Sequence, residues 1–189
     1  YFMTISSLNA LMEALRAGVA INKLMVSDAK KDKKIVQILE LCKKKGVPVQ
    51  RVPRETIQRK AGPDNQGIFA EIAPVTFYSL EDILSNIKTG LLLVLDGITD
   101  TGNTGAIIRS AAAAGVDGII VPQRNTAPIN ETVLKTSAGT LLKTRIHQAK
   151  NLVNTVKELK ENNFWVIGAD MQGEMAYYDY DFSYNTVLI

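Results

Sequence analysis

The sequence is poor in the residues that build metal and redox centres, with one cysteine, one histidine and one tryptophan among 189 residues. A lone cysteine cannot close an internal disulfide, so stability must come from burial, as expected in a reducing compartment. Cys42 falls with Ile35, Ile38 and Leu39 on the apolar face of an expected helix, which assigns it to core packing. His147 has no cysteine or carboxylate pattern around it, so no metal is expected and the imidazole reads as structural or surface-exposed. Long apolar runs are missing too. The strongest, residues 91–95, stops at Asp96, well short of the roughly 18 apolar residues of a membrane span. No charged-then-apolar leader opens the chain, and a cytoplasmic protein without membrane association is expected. Internal repeats and low-complexity tracts are likewise absent, which excludes a solenoid or a fibrous protein.

What is present is a globular composition, 46% hydrophobic, with charge distributed unevenly. Residues 1–60 hold 13 Lys or Arg against 5 acids, whereas residues 61–189 hold 9 against 14. The basic character therefore belongs to the front of the chain. Lys30, Lys31, Lys33 and Lys34, and later Lys43, Lys44 and Lys45, could meet phosphates by Coulomb attraction and counterion release. They could equally form a solvated helix face.

Periodicity divides the chain in two. Ser7 as N-cap, Leu8, Leu11, Met12 and Leu15 at helical spacing, and Gly18 as stop predict a first helix. Strands over 23–27, 47–52 and 68–72 alternate with helices over 32–45 and 53–60, giving a small α/β domain over 1–75. Residues 76–90 read as a linker. From residue 91, strands over 91–95, 118–121, 144–147 and 164–168 alternate with helices over 104–114, 130–138 and 152–162, the order of a parallel-sheet α/β domain over 91–189. Residues 186–189 open one more strand, from which a C-terminal remainder outside this sequence is expected. Trp165, following Phe164 into a strand, is expected in the core. Tyr177, Tyr178, Tyr180 and Tyr184 form an aromatic, acidic stretch compatible with domain packing or with a partner surface.

In open α/β sheets the functional crevice lies at the carboxyl ends of the strands, which directs attention to the turn after Leu95. Residues 96–105 read DGITDTGNTG, rich in glycine and acid. The turn approaches a P-loop, with Gly97, Gly102 and Thr104 in place. Asn103, however, stands where that loop needs its lysine, which weakens a nucleotide-hydrolysing reading. Asn103 and Arg109 place an amide at the helix start and a guanidinium about one and a half turns further on. Each alone could be a cap or a surface residue. Together they point to a site, because Ala106, Ile107, Ile108 and Ala111–Ala114 suggest a buried helix in which a guanidinium needs a partner.

Residues 93–122, LVLDGITDTGNTGAIIRSAAAAGVDGIIVP, resemble the first motif region of the SpoU (TrmH-type) RNA ribose methyltransferases, knotted enzymes of the SPOUT class. Lys135-Thr136-Ser137-Ala138-Gly139 and Trp165-Val166-Ile167-Gly168 match later landmarks of that family. The stretch NALMEAL at 9–15, Val47-Pro48-Val49 and Asn65-Gln66-Gly67 are similar to the RNA-binding domain of its 23S ribosomal RNA guanosine-2'-O subgroup. The resemblance implies methyl transfer from S-adenosylmethionine, without metal, to a ribose 2'-oxygen of ribosomal RNA, with transfer RNA as second choice. It further implies Arg109 and Asn103 as catalytic residues, Gly168 and Ala169 as cofactor contacts, and RNA contacts at Lys30, Lys31, Lys33, Lys34 and Gln66. Thr101 and Thr104 depart from the proline and bulky residue common at those positions. A Gly-x-Glu loop and a Ser-Leu-Asn segment, which in relatives build the knot, most of the cofactor pocket and much of a homodimer interface, would lie beyond Ile189. The chain alone is therefore expected to be inactive. The competing expectation is a nonenzymatic RNA-binding protein of the same shape.

Overall fold

A computed structural model of the protein describes residues 2–28 and 32–189. Two units result. The first runs to Val75 and includes Ile129–Lys143, and the second comprises Thr76–Pro128 with Thr144–Ile189.

In the first unit, helix α1 (Leu8–Ala17) buries Leu8, Leu11, Met12 and Leu15, as the three- and four-residue spacing requires. Ser7 precedes it but makes no side-chain cap. The Leu8 amide instead donates to Gln66 Oε1 at 2.7 Å, so a distant side chain satisfies an otherwise orphaned helix donor. Gly18, at φ 74°, ends the helix in the left-handed conformation that glycine adopts without penalty. Strands β1 (Met3–Ile5), β2 (Ile21–Ser27), β3 (Val49–Val52) and β4 (Ile68–Ile72) form a mixed sheet in the order β1-β4-β2-β3. Both β1 and β2 run antiparallel to β4, and β3 lies parallel to β2.

Helix α2 (Lys33–Lys45) begins where Asp32 accepts the Lys34 amide, and it turns Ile35, Ile38 and Cys42 inward. Burial pushes the Cys42 thiol up. Helix α3 (Arg54–Ala61) sets Ile57 against Met25, Val52 and Phe69. Fully burying such an aliphatic side chain contributes about 1.5–3 kcal/mol. Helix α6 (Glu131–Thr136) also belongs here, because its Glu131 accepts the Thr4 amide at 2.9 Å and its following turn packs on α1. The contacts of residues 129–143 thus lie in the first unit, whereas the sequence order places them within 91–189.

In the second unit, β5 (Leu91–Val94), β6 (Gly118–Pro122), β7 (Ile146–Ala149), β8 (Trp165–Ile167) and β9 (Thr186–Leu188) form a sheet in the order β7-β6-β5-β9-β8. All its pairings are parallel. Helices α4 (Leu80–Leu84), α5 (Thr101–Ala113) and α7 (Leu152–Glu161) accompany it. Leu80 and Ile83 of α4 enter one core with Leu92, Val94, Ile120, Leu159 and Val187. Residues 76–90 are therefore part of this unit and no linker. Asp117 fastens the entry to β5, since its Oδ2 accepts the amides of Thr89 and Gly90 at 2.8 and 2.9 Å and the Thr89 hydroxyl at 3.0 Å.

Trp165 departs from expectation, being 64% exposed. It lies on β8, an edge strand with one neighbour, while Phe164 just before it is buried. His147 Nδ1 lies 2.9 Å from the Tyr78 carbonyl and so donates to it, a structural use of the ring. Tyr177 and Tyr178 meet edge to face at 5.3 Å but remain largely exposed.

Candidate active site

The strand order reverses between β5 and β9: the chain runs outward from β5 through β6 to β7, then returns to β8 and β9 on the other side. That reversal is the topological switch point at which open parallel sheets leave a crevice beyond their carboxyl ends. The loop 95–100 leaves β5 at this point, Ile189 follows β9, and Gly168 and Ala169 follow β8. Because the strands are parallel and about 4.8 Å apart, the fold brings these segments to one sheet edge.

Asp100 shapes the loop. Its carboxylate accepts the Asn103 amide at 2.6 Å, and its carbonyl accepts the Thr104 hydroxyl at 2.8 Å. Helix α5 consequently starts at Thr101, earlier than periodicity suggests, and Asn103 lies in its first turn. With its hydroxyl bonded locally and the residue 1% exposed, Thr104 is not placed as a P-loop threonine would be. From the neighbouring connection, the Ala127 amide donates to the Ile98 carbonyl at 2.8 Å and pins the loop at its centre. Nothing in the sequence marked residues 126–127 for this role, whereas Asp100 three residues before Asn103 carries an N-cap pattern.

Helix α5 buries Thr104, Gly105, Ile108 and Ala111. Asn103, Ala106, Arg109 and Ser110 are exposed. A turn of 100° per residue sets Asn103 and Arg109 about 120° apart at the two margins of one open face, separated by about 9 Å along the axis. The expectation of a buried helix with a partnered guanidinium is thus corrected. The apolar composition of α5 comes largely from alanines, two of which, Ala106 and Ala113, face water. No ion pair of Arg109 is recorded among the described residues, so its donors are available to an incoming anion or oxygen.

Gly168 and Ala169 are exposed at the same sheet edge. A Cβ at Gly168 or at Gly97 would meet nothing within 4 Å, which leaves uncovered backbone on both sides of β9. The Ala169 amide already donates to the Ile189 carbonyl at 2.8 Å, so only its carbonyl and small side chain can serve a ligand. No group of three or more His, Cys, Asp or Glu suited to a metal occurs among the described residues.

The residues expected to contact RNA belong to the first unit. Lys33 and Lys34 are exposed, and Lys34 Nζ donates to Asn9 Oδ1 at 2.9 Å. Lys30 and Lys31 lie outside the described residues. Gln66 is exposed, yet its side-chain oxygen serves as the cap of α1.

Comparison with known proteins agrees with this architecture. The profile of the SpoU rRNA Methylase family matches residues 90–189, and that of the RNA 2'-O ribose methyltransferase substrate-binding domain matches residues 8–78. A Staphylococcus saprophyticus protein assigned to the TrmH family of tRNA/rRNA methyltransferases is 33% identical over 177 residues, 92% of this chain and 71% of the relative. A similarly assigned Staphylococcus aureus protein is 36% identical over 173 residues, 89% of this chain and 70% of the relative. The SpoU methyltransferase AviRb from Streptomyces viridochromogenes superposes with a TM-score of 0.78 at 20% identity, covering 99% of this chain and 70% of AviRb. An rRNA methyltransferase from Sinorhizobium meliloti, solved also with AdoMet bound, gives 0.78 at 23% identity over 99% and 69% of the two chains. These two structures establish the fold. The chain belongs to the SpoU/TrmH family of RNA methyltransferases.

Proposed function

We propose that the protein, in its full-length form, methylates a ribose 2'-hydroxyl of RNA in the cytoplasm, with 23S ribosomal RNA favoured over transfer RNA. The observation that carries this reading is the placing of Asn103 and Arg109 at the two margins of the open face of the helix that leaves the switch-point loop. The match to a 2'-O ribose substrate-binding domain supports the ribose as acceptor, and the match to an rRNA methylase family supports the RNA class.

S-adenosylmethionine, when bound, supplies an electrophilic methyl group on a sulfonium. Gly168 and Ala169 would contact it at the exposed backbone after β8, beside the loop 95–100. Arg109 is a poor acceptor for the hydroxyl proton, because a guanidinium presents N–H donors and no acceptor. Its role is to stabilise the negative charge that develops on the attacking 2'-oxygen. Asn103 orients the sugar or the guanidinium, and the proton leaves to an RNA phosphate. In water such stabilisation is weak, since at a dielectric near 80 two charges 4 Å apart interact by only about 1 kcal/mol. The open α5 face therefore needs a cover, which the bound RNA or the second subunit of a homodimer supplies.

The test is methyl transfer from tritiated S-adenosylmethionine to ribosomal and transfer RNA, followed by digestion to nucleosides and chromatography. Label in 2'-O-methyl nucleosides is expected, with Arg109→Ala lowering turnover by about a hundredfold or more while RNA affinity is retained. Base-methylated product, or near-normal turnover of the variant, refutes the assignment. Calorimetric titration of S-adenosylmethionine into this chain and into a form extended at its C-terminus separates an enzyme from a nonenzymatic RNA-binding relative.

A further inference from the structure

We propose that the cleft between α1 and α2 in the first unit is a recognition pocket for one unpaired RNA nucleotide. The inference rests on the RNA-methyltransferase reading and adds to it the place where sequence is read. The cleft encloses about 400 Å³, within the range of small-ligand sites. Asn9, Glu13 and Arg16, spaced by four and three residues, line it from one face of α1, with Met12 beside them. Lys34 and Gln37 line it from α2.

The remaining wall is the turn carrying Ala138 and Thr140. Gly139 between them has φ 88°, and a Cβ there would lie 2.9 Å from both the Ala10 Cα and the Glu13 Cβ. The turn can approach α1 this closely only because that residue is glycine. The wall is thus built into the backbone.

The lining chemistry suits a nucleotide better than a peptide or a metal ion. The Asn9 oxygen already accepts Lys34 Nζ, which leaves its NH2 group to donate. The Gln37 amide has no recorded hydrogen bond among the described residues and offers both a donor and an acceptor, the pattern that matches the edge of a base. Cations surround these amides. Arg16 and Lys143 both pair with Glu13, so the one carboxylate at the cleft is neutralised by its own neighbours. Lys34 and the outer donors of Arg16, whose side chain is 61% exposed, remain for the phosphates on either side of the base. A concave cleft of this size admits a splayed single nucleotide and excludes a continuous duplex, whose bases stay stacked.

Fluorescence anisotropy on the full chain tests the pocket, with a labelled hairpin RNA bearing an unpaired loop and a continuous duplex of the same stem as probes. The substitution Gln37→Ala, which leaves the contact between Asn9 and Lys34 in place, is expected to weaken hairpin binding by about tenfold or more, with duplex affinity and salt dependence unchanged because the group is neutral. An unchanged thermal transition shows that the variant is folded. Wild-type affinity of the variant for the hairpin, or equal losses on hairpin and duplex, overturns the pocket while leaving the methyltransferase reading intact. Failure of the wild-type chain to bind either RNA overturns both.

Discussion

Asp117 offers the sharpest link between a single atom and the stability of the catalytic unit. Its Oδ2 gathers three hydrogen bonds, from the Thr89 amide, the Thr89 hydroxyl and the Gly90 amide, and so ties the start of β6 to the start of β5. Burial alone raises the pKa of this carboxyl group. The backbone donors of Lys88, Thr89 and Gly90 and the Thr89 hydroxyl outweigh that effect and hold it below the ordinary 3.8. Replacing Asp117 by Asn keeps the shape and removes the charge, turning charge-assisted bonds into neutral ones. With about 1 kcal/mol between the two kinds and incomplete additivity across a shared acceptor, the expected loss is about 2 kcal/mol. Asp117→Ala leaves the donors without an acceptor and is expected to cost about 3–4 kcal/mol. For a chain of this size, scanning calorimetry at pH 7 should show the Asn variant melting about 4–8 °C lower. The pH dependence has a definite sign. A carboxyl whose folded-state pKa is depressed contributes its full stabilisation above the unfolded value of 3.8, and that contribution disappears as pH falls through the lower folded-state value. The gap between wild type and Asn variant should therefore stay constant from neutral pH to about 5 and close below 3.8. A variant that melts with the wild type at pH 7, or a gap that widens on acidification, refutes the reasoning.

Two further substitutions and one labelling experiment probe the packing of other elements. Gly139→Ala combines a left-handed φ of 88° with an approach of 2.9 Å to the Ala10 Cα, so urea denaturation should show a loss of about 2–4 kcal/mol. Gly97→Ala, at φ 71° with open space around it, should lose only about 1 kcal/mol; equal losses at the two sites would show that backbone conformation, not the close approach, controls Gly139. Cys42 is fully buried with its thiol pushed up by burial, so a thiol-specific reagent should modify it slowly in the native protein and completely in denaturant. Rapid native modification would contradict the packing of α2.

Strands and helices with a clean period were legible, and the reason is visible in α1 and β5. Leu8, Leu11, Met12 and Leu15 can share a face only in a helix, and the aliphatic run from Leu91 forms the central strand of a parallel sheet, with Leu92 and Val94 buried and Leu91 and Leu93 half-buried. The allegiance of elements was not legible. Residues 129–143 follow β6 in sequence but join the first unit, because Glu131 and Gly139 find their contacts on β1 and α1, and no local pattern announces so distant a partner. Leu80 and Ile83 have the spacing of a short amphipathic helix, yet the proline and glycine around them read as a linker, and only the core they enter reveals their place. Trp165 failed for a related reason. Aromatic composition predicts burial for a central strand, and only the strand order reveals that β8 is an edge.

The site was legible in its residue types and misjudged in its surroundings, and the cause is alanine. A helix whose hydrophobic count comes from leucine or isoleucine must hide that surface, since each such side chain is worth about 1.5–3 kcal/mol on burial. Alanine has too little surface to compel burial, so α5 can turn Ala106 and Ala113 to water beside Asn103 and Arg109 at small cost. A face of small side chains around an uncommitted guanidinium is poor at stabilising charge in water, but it lets a broad surface, RNA or protein, approach the backbone closely. The exposure of Arg109 in the single chain and its proposed action on a desolvated oxygen are then compatible under one condition. The cover must arrive with the substrate or with a second subunit, so turnover should depend on what shields α5 as steeply as on the arginine itself.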